Sequence, residues 1–424
     1  MINQYSIENF KIHDSSEILE LNGLTIFTGA NNSGKTSMIQ SIRALSKMCI
    51  YANKYIYMPL EQIEGLGSLK NTLNKAVDRK ADIRYSFVME PEYFFISMTF
   101  GSALSLNGND GLLKEDTAVL KSLEMTVLSN DGRSRTFVWT LEPDWENPFA
   151  SYHLTEKDNE TEKETELGSV LLTGFTLMST IDIIIKPEGV RKEVLKCLAG
   201  LSSLGSGKIR YLGPYRHIDT MAGGGNASGM LEEDGANMCN ILSVFQDKVI
   251  FDGHTTLKQS FEYWTRKMLD SSFFIRQEGK RINLYTVEQD IELEITQIGF
   301  GNTQILPIIL EILLAKKGDI VIIENPEVHL HPRWKADLME LFYFAAEHGI
   351  KVVIETQSVE MILRGRLLVR KNPEYKDLTA LYSFEKDGFT CTISRIEIED
   401  TGRLDSWPKD FIDRVIFEDT WRLL

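Results

Sequence analysis

The chain has 424 residues, 43% of them hydrophobic, enough to bury a large core in two or three domains or in one composite domain. Its formal net charge of −15 argues against a broad nucleic-acid-binding surface and leaves only a local basic groove for a DNA contact. It has no apolar run of roughly 18 residues and no signal peptide, which predicts a cytoplasmic protein without a membrane partner; Cys49, Cys197, Cys239 and Cys391 lack the C-x-x-C spacing of a zinc site.

From the N-terminus, the alternation of Tyr5, Ile7 and Phe10 predicts a strand, and Ile18-Leu-Glu-Leu21 another. Leu24-Thr-Ile-Phe-Thr28 is an apolar, β-branched run that predicts a buried strand. It feeds Gly29-Ala-Asn31-Asn32-Ser33-Gly34-Lys35-Thr36, a complete G-x-x-x-x-G-K-T loop, with Ser37 next in line. The two glycines let the backbone wrap so that N–H groups converge on the α and β phosphates of a nucleoside triphosphate. Lys35 then reaches the β and γ phosphates and the Thr36 hydroxyl reaches Mg2+. Met38, Ile39, Ile42 and Leu45 recur at helical spacing, so a helix over 34–46 adds its positive N-terminal end to the site. Residues 1–90 are assigned to a strand-rich lobe around the phosphates.

Residues 91–285 are expected to form a middle α+β insertion, with 205–235 rejoining the nucleotide-binding head. Tyr93–Met98 and Thr136–Thr140 predict short strands, and the acidic stretch at 155–167 predicts a solvated loop. No internal repeat or long heptad run occurs, so no coiled-coil arm is expected.

Residues 286–424 form the third segment. Gln297-Ile-Gly299-Phe-Gly301-Asn302-Thr303-Gln304 is a Gly-rich turn before an apolar helix over Ile305–Leu314, with Asn302 or Thr303 as its cap. Asp319–Ile323 is a hydrophobic strand ending at Glu324, and a carboxylate at the carboxyl end of a buried parallel strand suits Mg2+ or its water shell. Pro332 opens a helix with Trp334, Leu338, Leu341, Phe342 and Ala345 on one face and Gly349 at its end. Lys351–Gln357 is the next buried strand, which makes a parallel strand-helix-strand unit. His329 and His331 lack a third convergent ligand for a metal. Arg364, Arg366, Arg370 and Lys371 predict a solvated or subunit-facing basic surface. Arg216, after Gly213-Pro214, is placed either to meet a phosphate or to brace the fold.

The segments IENFKI…LNGLTIFTGANNSGKTSMIQSI, YLGPYR (211–216), IGFGNTQILPI, IIENPEVHLHP (322–332), IETQS (354–358) and GRLDSWPKDFID together resemble a group of bacterial ABC-class ATPases. These are relatives of the overcoming-lysogenization-defect (OLD), RecF and structural-maintenance-of-chromosomes (SMC) proteins found in anti-phage defence, here with an ENPExHLHP element and a WPxxF(F/I)D-like tail. The resemblance covers about residues 1–90 and 205–424. It implies an α/β P-loop NTPase of ABC-ATPase type, with a mixed sheet core, a strand-rich lobe and an inserted middle segment. ATP and Mg2+ would be the cofactors, sandwiched between paired subunits of a homodimer or higher oligomer. By the same resemblance, Gly29–Thr36 hold the phosphates and Glu324 takes the Mg2+-associated position. Gly299, Gly301, Asn302 and Thr303 act in trans as the signature, and Gln357 stands where most relatives carry a switch histidine. Asn325 occupies the place of the usual water-orienting glutamate, which leaves Glu327 as the candidate to polarise water and implies slow hydrolysis.

Three functions follow as expectations: an ATP-gated head that controls a separate effector, nuclease or toxin; a nucleotide-locked scaffold with little turnover; and a RecF-like DNA-repair clamp with salt-sensitive DNA binding. The chain itself is not expected to be a nuclease, because the 66 residues after Ser358 are too few for such a domain and already carry strand-like runs at Leu378–Phe384 and Phe389–Ile396.

Overall fold

The computed structural model describes residues 2–47, 56–76, 81–89, 94–102, 117–128, 133–142, 151–173, 176–177, 188–219, 229–279 and 281–407. Cys49, Tyr93 and the tail after Trp407 lie outside the described residues. Two compact units emerge. The first comprises residues 1–20, 36–208 and 385–393; the second comprises 21–35, 209–384 and 394–424.

The first unit is built on an antiparallel meander. Ile2–Phe10 pairs with Ile83–Met89, and that strand pairs with Phe94–Ser102. Pairing then continues through Ala118–Leu128, Ser134–Glu142, Ser151–Asp158 and Glu164–Thr173. Alternate side chains point to one face, so Tyr5, Tyr85, Phe100, Phe137 and Trp139 are fully buried, and Tyr5, Tyr85 and Phe100 meet edge to face at 6.3 and 5.9 Å. The Lys35–Ser46 helix buries Met38, Ile39, Ile42 and Leu45, and Ser41 Oγ shares a 2.6 Å hydrogen bond with Tyr5 Oη.

Two sequence expectations are corrected here. A boundary at residue 90 would cut between two neighbouring strands of one sheet, because Met89 pairs with Phe94. Residues 91–208 therefore extend the first lobe instead of interrupting it. The acidic stretch is a strand hairpin rather than a loop: Lys157 pairs with Glu164, and the Asp158 carboxylate caps the turn by accepting from the backbone N–H of Glu160 and Thr161, both at 3.0 Å. Those backbone bonds hold Asp158 below the usual carboxylate range. The stretch is acidic because most of its side chains face water, which a two-sided strand permits as readily as a loop.

A six-stranded sheet, all of it but residues 385–393 in the second unit, runs in the order Ile209–Leu212, Ile320–Glu324, Lys351–Glu355, Leu24–Gly29, Thr379–Asp387, Thr390–Ile396. The first five strands run parallel. Leu24–Gly29, Ile320–Glu324 and Lys351–Glu355 are buried at every position, which explains their uninterrupted apolar runs. The Phe300–Leu314 helix is buried from Gln304 onward, and Pro332–Glu347 and Val359–Lys371 supply further helices. No described helix is long and apolar enough to cross a membrane. The architecture is α/β, with a largely parallel sheet whose strand carboxyl ends gather the conspicuous polar residues.

Candidate functional site

The Gly29–Lys35 loop leaves the parallel sheet in a conformation that requires glycine at its start. Gly29 has φ 138°, and a Cβ there would sit 2.3 Å from the Phe384 carbonyl oxygen. Asn32 and Gly34 also adopt positive φ, 67° and 109°, so the chain closes into a cradle ahead of the helix at Lys35. Lys35 is 3% exposed; its Nζ donates to the carbonyls of Gly29 at 3.0 Å and Ala30 at 2.7 Å and lies 3.9 Å from Glu355 Oε1. Asn31, Asn32 and Thr36 are exposed around it, Ser37 is half-buried and Ser33 is buried.

Parallel register aligns the ends of neighbouring strands. Glu324 sits directly beside Glu355, and Glu355 beside Phe27. Both carboxylates are 5% exposed, and Tyr211 Oη donates to Glu324 Oε1 at 3.2 Å. Beyond Glu324 the chain turns: Asn325 has φ 43°, its N–H donates to the Glu355 carbonyl at 2.9 Å, and Val328 N–H donates back to Asn325 O at 3.2 Å. The turn brings Glu327 Oε1 to the backbone N–H of Gln357 at 2.8 Å, and Gln357 Nε2 donates to Asn31 Oδ1 at 2.6 Å. Glu327, Gln357 and Asn31, from three separate segments, thus form one hydrogen-bonded chain that ends on the loop.

Arg216 braces this edge. Its Nη2 donates to the carbonyls of Glu324 at 2.5 Å and Asn325 at 3.3 Å, and it is 3% exposed. Burial pulls the guanidinium down to about 10, opposed by the charges of Glu327, Tyr211 and Glu324. Arg216 Nε and Nη1, and Glu327 Oε2, are buried without a hydrogen-bond partner among the described residues. Glu355 and Tyr211 were not read from sequence; of the two roles open to Arg216, its bonds to the Glu324 and Asn325 carbonyls are those of a brace. The one available signal was the parallel strand pair itself, because Glu355 ends its strand as Glu324 ends the next.

The Gly-rich turn differs from expectation. Its helix begins at Phe300, with Gly299 as the N-cap, so Asn302 and Thr303 lie inside the first turn rather than capping it. Asn302 Nδ2 returns to the Gly299 carbonyl at 3.2 Å, and Thr303 Oγ1 to Phe300 O at 2.7 Å. Gly301 is packed closely, since a Cβ there would be 3.0 Å from Trp334 Cζ3 and 3.1 Å from His329 O. Gln304 Nε2 donates to the Arg216 carbonyl at 2.7 Å, tying this helix to the Glu324 edge. His331 Nδ1 accepts from Arg333 N–H at the start of the Pro332–Glu347 helix, and His329 lies edge to face on Phe300 at 5.1 Å. Two members of the basic cluster are engaged within the fold: Arg364 with Glu340, and Arg366 with the Gly402 carbonyl and the Trp407 ring.

A family model described as "AAA ATPase domain" matches residues 1–186, and one described as "AAA domain, putative AbiEii toxin, Type IV TA system" matches residues 245–362. The "Old nuclease" of Escherichia phage P2 is 22% identical over 374 residues, covering 84% of this chain. The chain spans 56% of that relative's length. Among solved structures, the SMC head domain from Thermotoga maritima is 10% identical, covers 94% of this chain and 99% of its own, and has a TM-score of 0.42. An SMC head bound to the C-terminal winged-helix domain of ScpA is also 10% identical, covering 94% of this chain and 98% of its own with a TM-score of 0.45.

Proposed function

We propose that the chain binds ATP with Mg2+ at the Gly29–Thr36 loop, hydrolyses it slowly, and assembles as an ABC-type head that controls a separate nuclease or toxin in anti-phage defence. The observation that carries the nucleotide reading is the convergence at one sheet edge of a backbone cradle, a buried lysine, paired strand-end carboxylates and the Glu327–Gln357–Asn31 chain. The cradle fits a phosphate chain, because inward N–H groups at a helix N-terminus and one ammonium supply what a polyphosphate requires. Asn31, Asn32, Ser33 and Ser37 line the cradle, Gly34 lets its backbone approach, and Lys35 supplies the charge. Thr36 and Glu324 would hold Mg2+, which would supply positive charge to offset that of the phosphates.

Within this reading Glu327 polarises the attacking water and Asn325 shapes the turn that delivers it. Gln357 orients Glu327 and reports on the loop through Asn31. Gly299, Gly301, Asn302 and Thr303 serve the nucleotide of a second copy, which makes association depend on ATP. The family matches to AAA ATPase models support the ATPase part, and the similarity to the phage P2 protein motivates the defence role.

A scaffold that locks on nucleotide with little turnover is the second reading. It is favoured by the amide of Gln357 holding one Glu327 oxygen, and by an amide side chain at Asn325. Steady-state phosphate release, measured beside the stoichiometry of bound nucleotide, separates the two. Sustained release at sub-saturating occupancy supports the ATPase; stoichiometric binding without release supports the scaffold and contradicts the first reading.

A further inference from the structure

We propose that a cavity between three helices of the second unit binds the guanidinium or ammonium group of a basic side chain presented by a partner protein. The site is remote in sequence from the loop and does not depend on the nucleotide reading. Two helices, Leu257–Leu269 and Pro332–Glu347, carry aromatic pairs at matching spacing: Tyr263-Trp264 followed by Lys267, and Tyr343-Phe344 followed by Glu347. On each helix the pair and the charge share one face, because residues three and four apart are neighbours. The two faces meet, with Trp264 and Phe344 at 5.5 Å, and enclose an open cavity of about 650 Å³ that Leu368 of the third helix also lines.

The floor is aromatic and buried, while the mouth is acidic. Trp264 is 5% and Tyr343 1% exposed, and Tyr375 lies flat on Tyr343 at 4.4 Å. Tyr263, at the rim, is 58% exposed. Asp252, Glu340 and Glu347 line the cavity against one cation, Lys267. The wall already displays the recognition it would offer a ligand: Lys267 Nζ stands 4.6 Å from the Trp264 ring centroid and 2.6 Å from Glu340 Oε2. Ring faces attract cations through their quadrupole, and a nearby carboxylate reinforces this.

Glu340 is satisfied by Lys267 and Arg364, so it is not the anchor. Glu347 is exposed and accepts a neutral hydrogen bond from Tyr375 Oη at 2.8 Å, with no cation paired to it among the described residues. Its charge therefore remains for an incoming cation. A second depression of about 460 Å³, lined also by Glu262 and Arg266, shares Gln259, Tyr263 and Lys267 with the first, so the two cavities adjoin. Adjoining cavities of about 650 and 460 Å³ leave room for a chain segment around a single cationic head, which a free small cation would not fill, and the chain's net charge of −15 favours approach of a basic segment.

The test is calorimetric titration of the full chain with blocked glycine-serine peptides carrying a single central arginine, lysine or glutamate, with spermidine and free arginine as small-cation arms. The arginine and lysine peptides should bind saturably and the glutamate peptide should not. Glu347→Gln and Tyr263→Ala should each weaken binding about tenfold, as expected for loss of one charge-assisted hydrogen bond or one ring contact, with unchanged ATP affinity and melting temperature. Absence of saturable binding, or binding indifferent to both substitutions, would overturn the proposal. Spermidine or free arginine binding as tightly as the peptides would overturn the protein-partner assignment in favour of a small organic cation.

Discussion

Glu327 is the residue whose surroundings best separate structure from chemistry. Its Oε1 accepts from the Gln357 N–H, a bond that the amide oxygen of glutamine can also make, so Glu327→Gln should leave the turn and its link to Asn31 intact. Removing only the negative charge should keep ATP bound and reduce turnover by at least about tenfold, the usual minimum for loss of a positioned base. Phosphate release at the wild-type rate in this variant would transfer the role to another group. At this scale, the turns at Gly29 and Gly34 were legible because glycine next to a buried strand and a helix start leaves few backbone options. Tyr211 and Glu355 were not, and Arg216 was legible only as one of two alternatives, because their partners are set by tertiary contacts: the Tyr211–Glu324 and Arg216–Glu324 bonds span 113 and 108 residues.

Strands and helices of the second unit were readable wherever a buried parallel strand demands a continuous apolar run, as in Ile320–Glu324 and Lys351–Glu355. The start of the Phe300–Leu314 helix was not, since Asn302 and Thr303 look like caps but bond back within the first turn. That geometry changes how pairing should be probed. Gly301 has no room for a side chain, so a carboxylate there would disturb Trp334 and the His329 turn. Asn302→Asp instead puts the charge on a half-buried first-turn position, where the helix dipole favours it. It should leave melting temperature and single-chain ATP binding near wild type while reducing ATP-dependent association in sedimentation velocity. Undiminished association would remove this turn from the paired site.

The same helix is fastened to the Ile209–Leu212 strand by a buried fork: Glu311 accepts from Arg210 Nε at 2.7 Å and Nη2 at 3.1 Å, with both residues no more than 2% exposed. Glu311→Ala strands that arginine and should cost about 3–5 kcal/mol in urea unfolding, whereas Arg210→Met with Glu311→Leu should cost less. Equal losses would show that packing, rather than the unpaired charge, sets the penalty.

At the scale of the whole molecule, two construction rules divide the chain. One unit is an antiparallel meander assembled from sequence neighbours; the other is a parallel sheet assembled from strands far apart in sequence. Motif spacing identified the loop, and the family resemblance implied the α/β class. They did not reveal that Leu21–Lys35 groups with residues after 209, because parallel pairing requires long crossovers whose partners no local pattern names. The central claim is that the cradle at the strand ends is a nucleotide site in which Lys35 supplies the decisive charge. Isothermal titration of MgATP into the wild type and Lys35→Ala tests it most directly. The account predicts a single saturable nucleotide per wild-type chain and an affinity at least about tenfold weaker in the variant, because a hydrogen bond to a charged group contributes about 1.5–3 kcal/mol. A folded Lys35→Ala chain that binds MgATP as tightly as the wild type would contradict it.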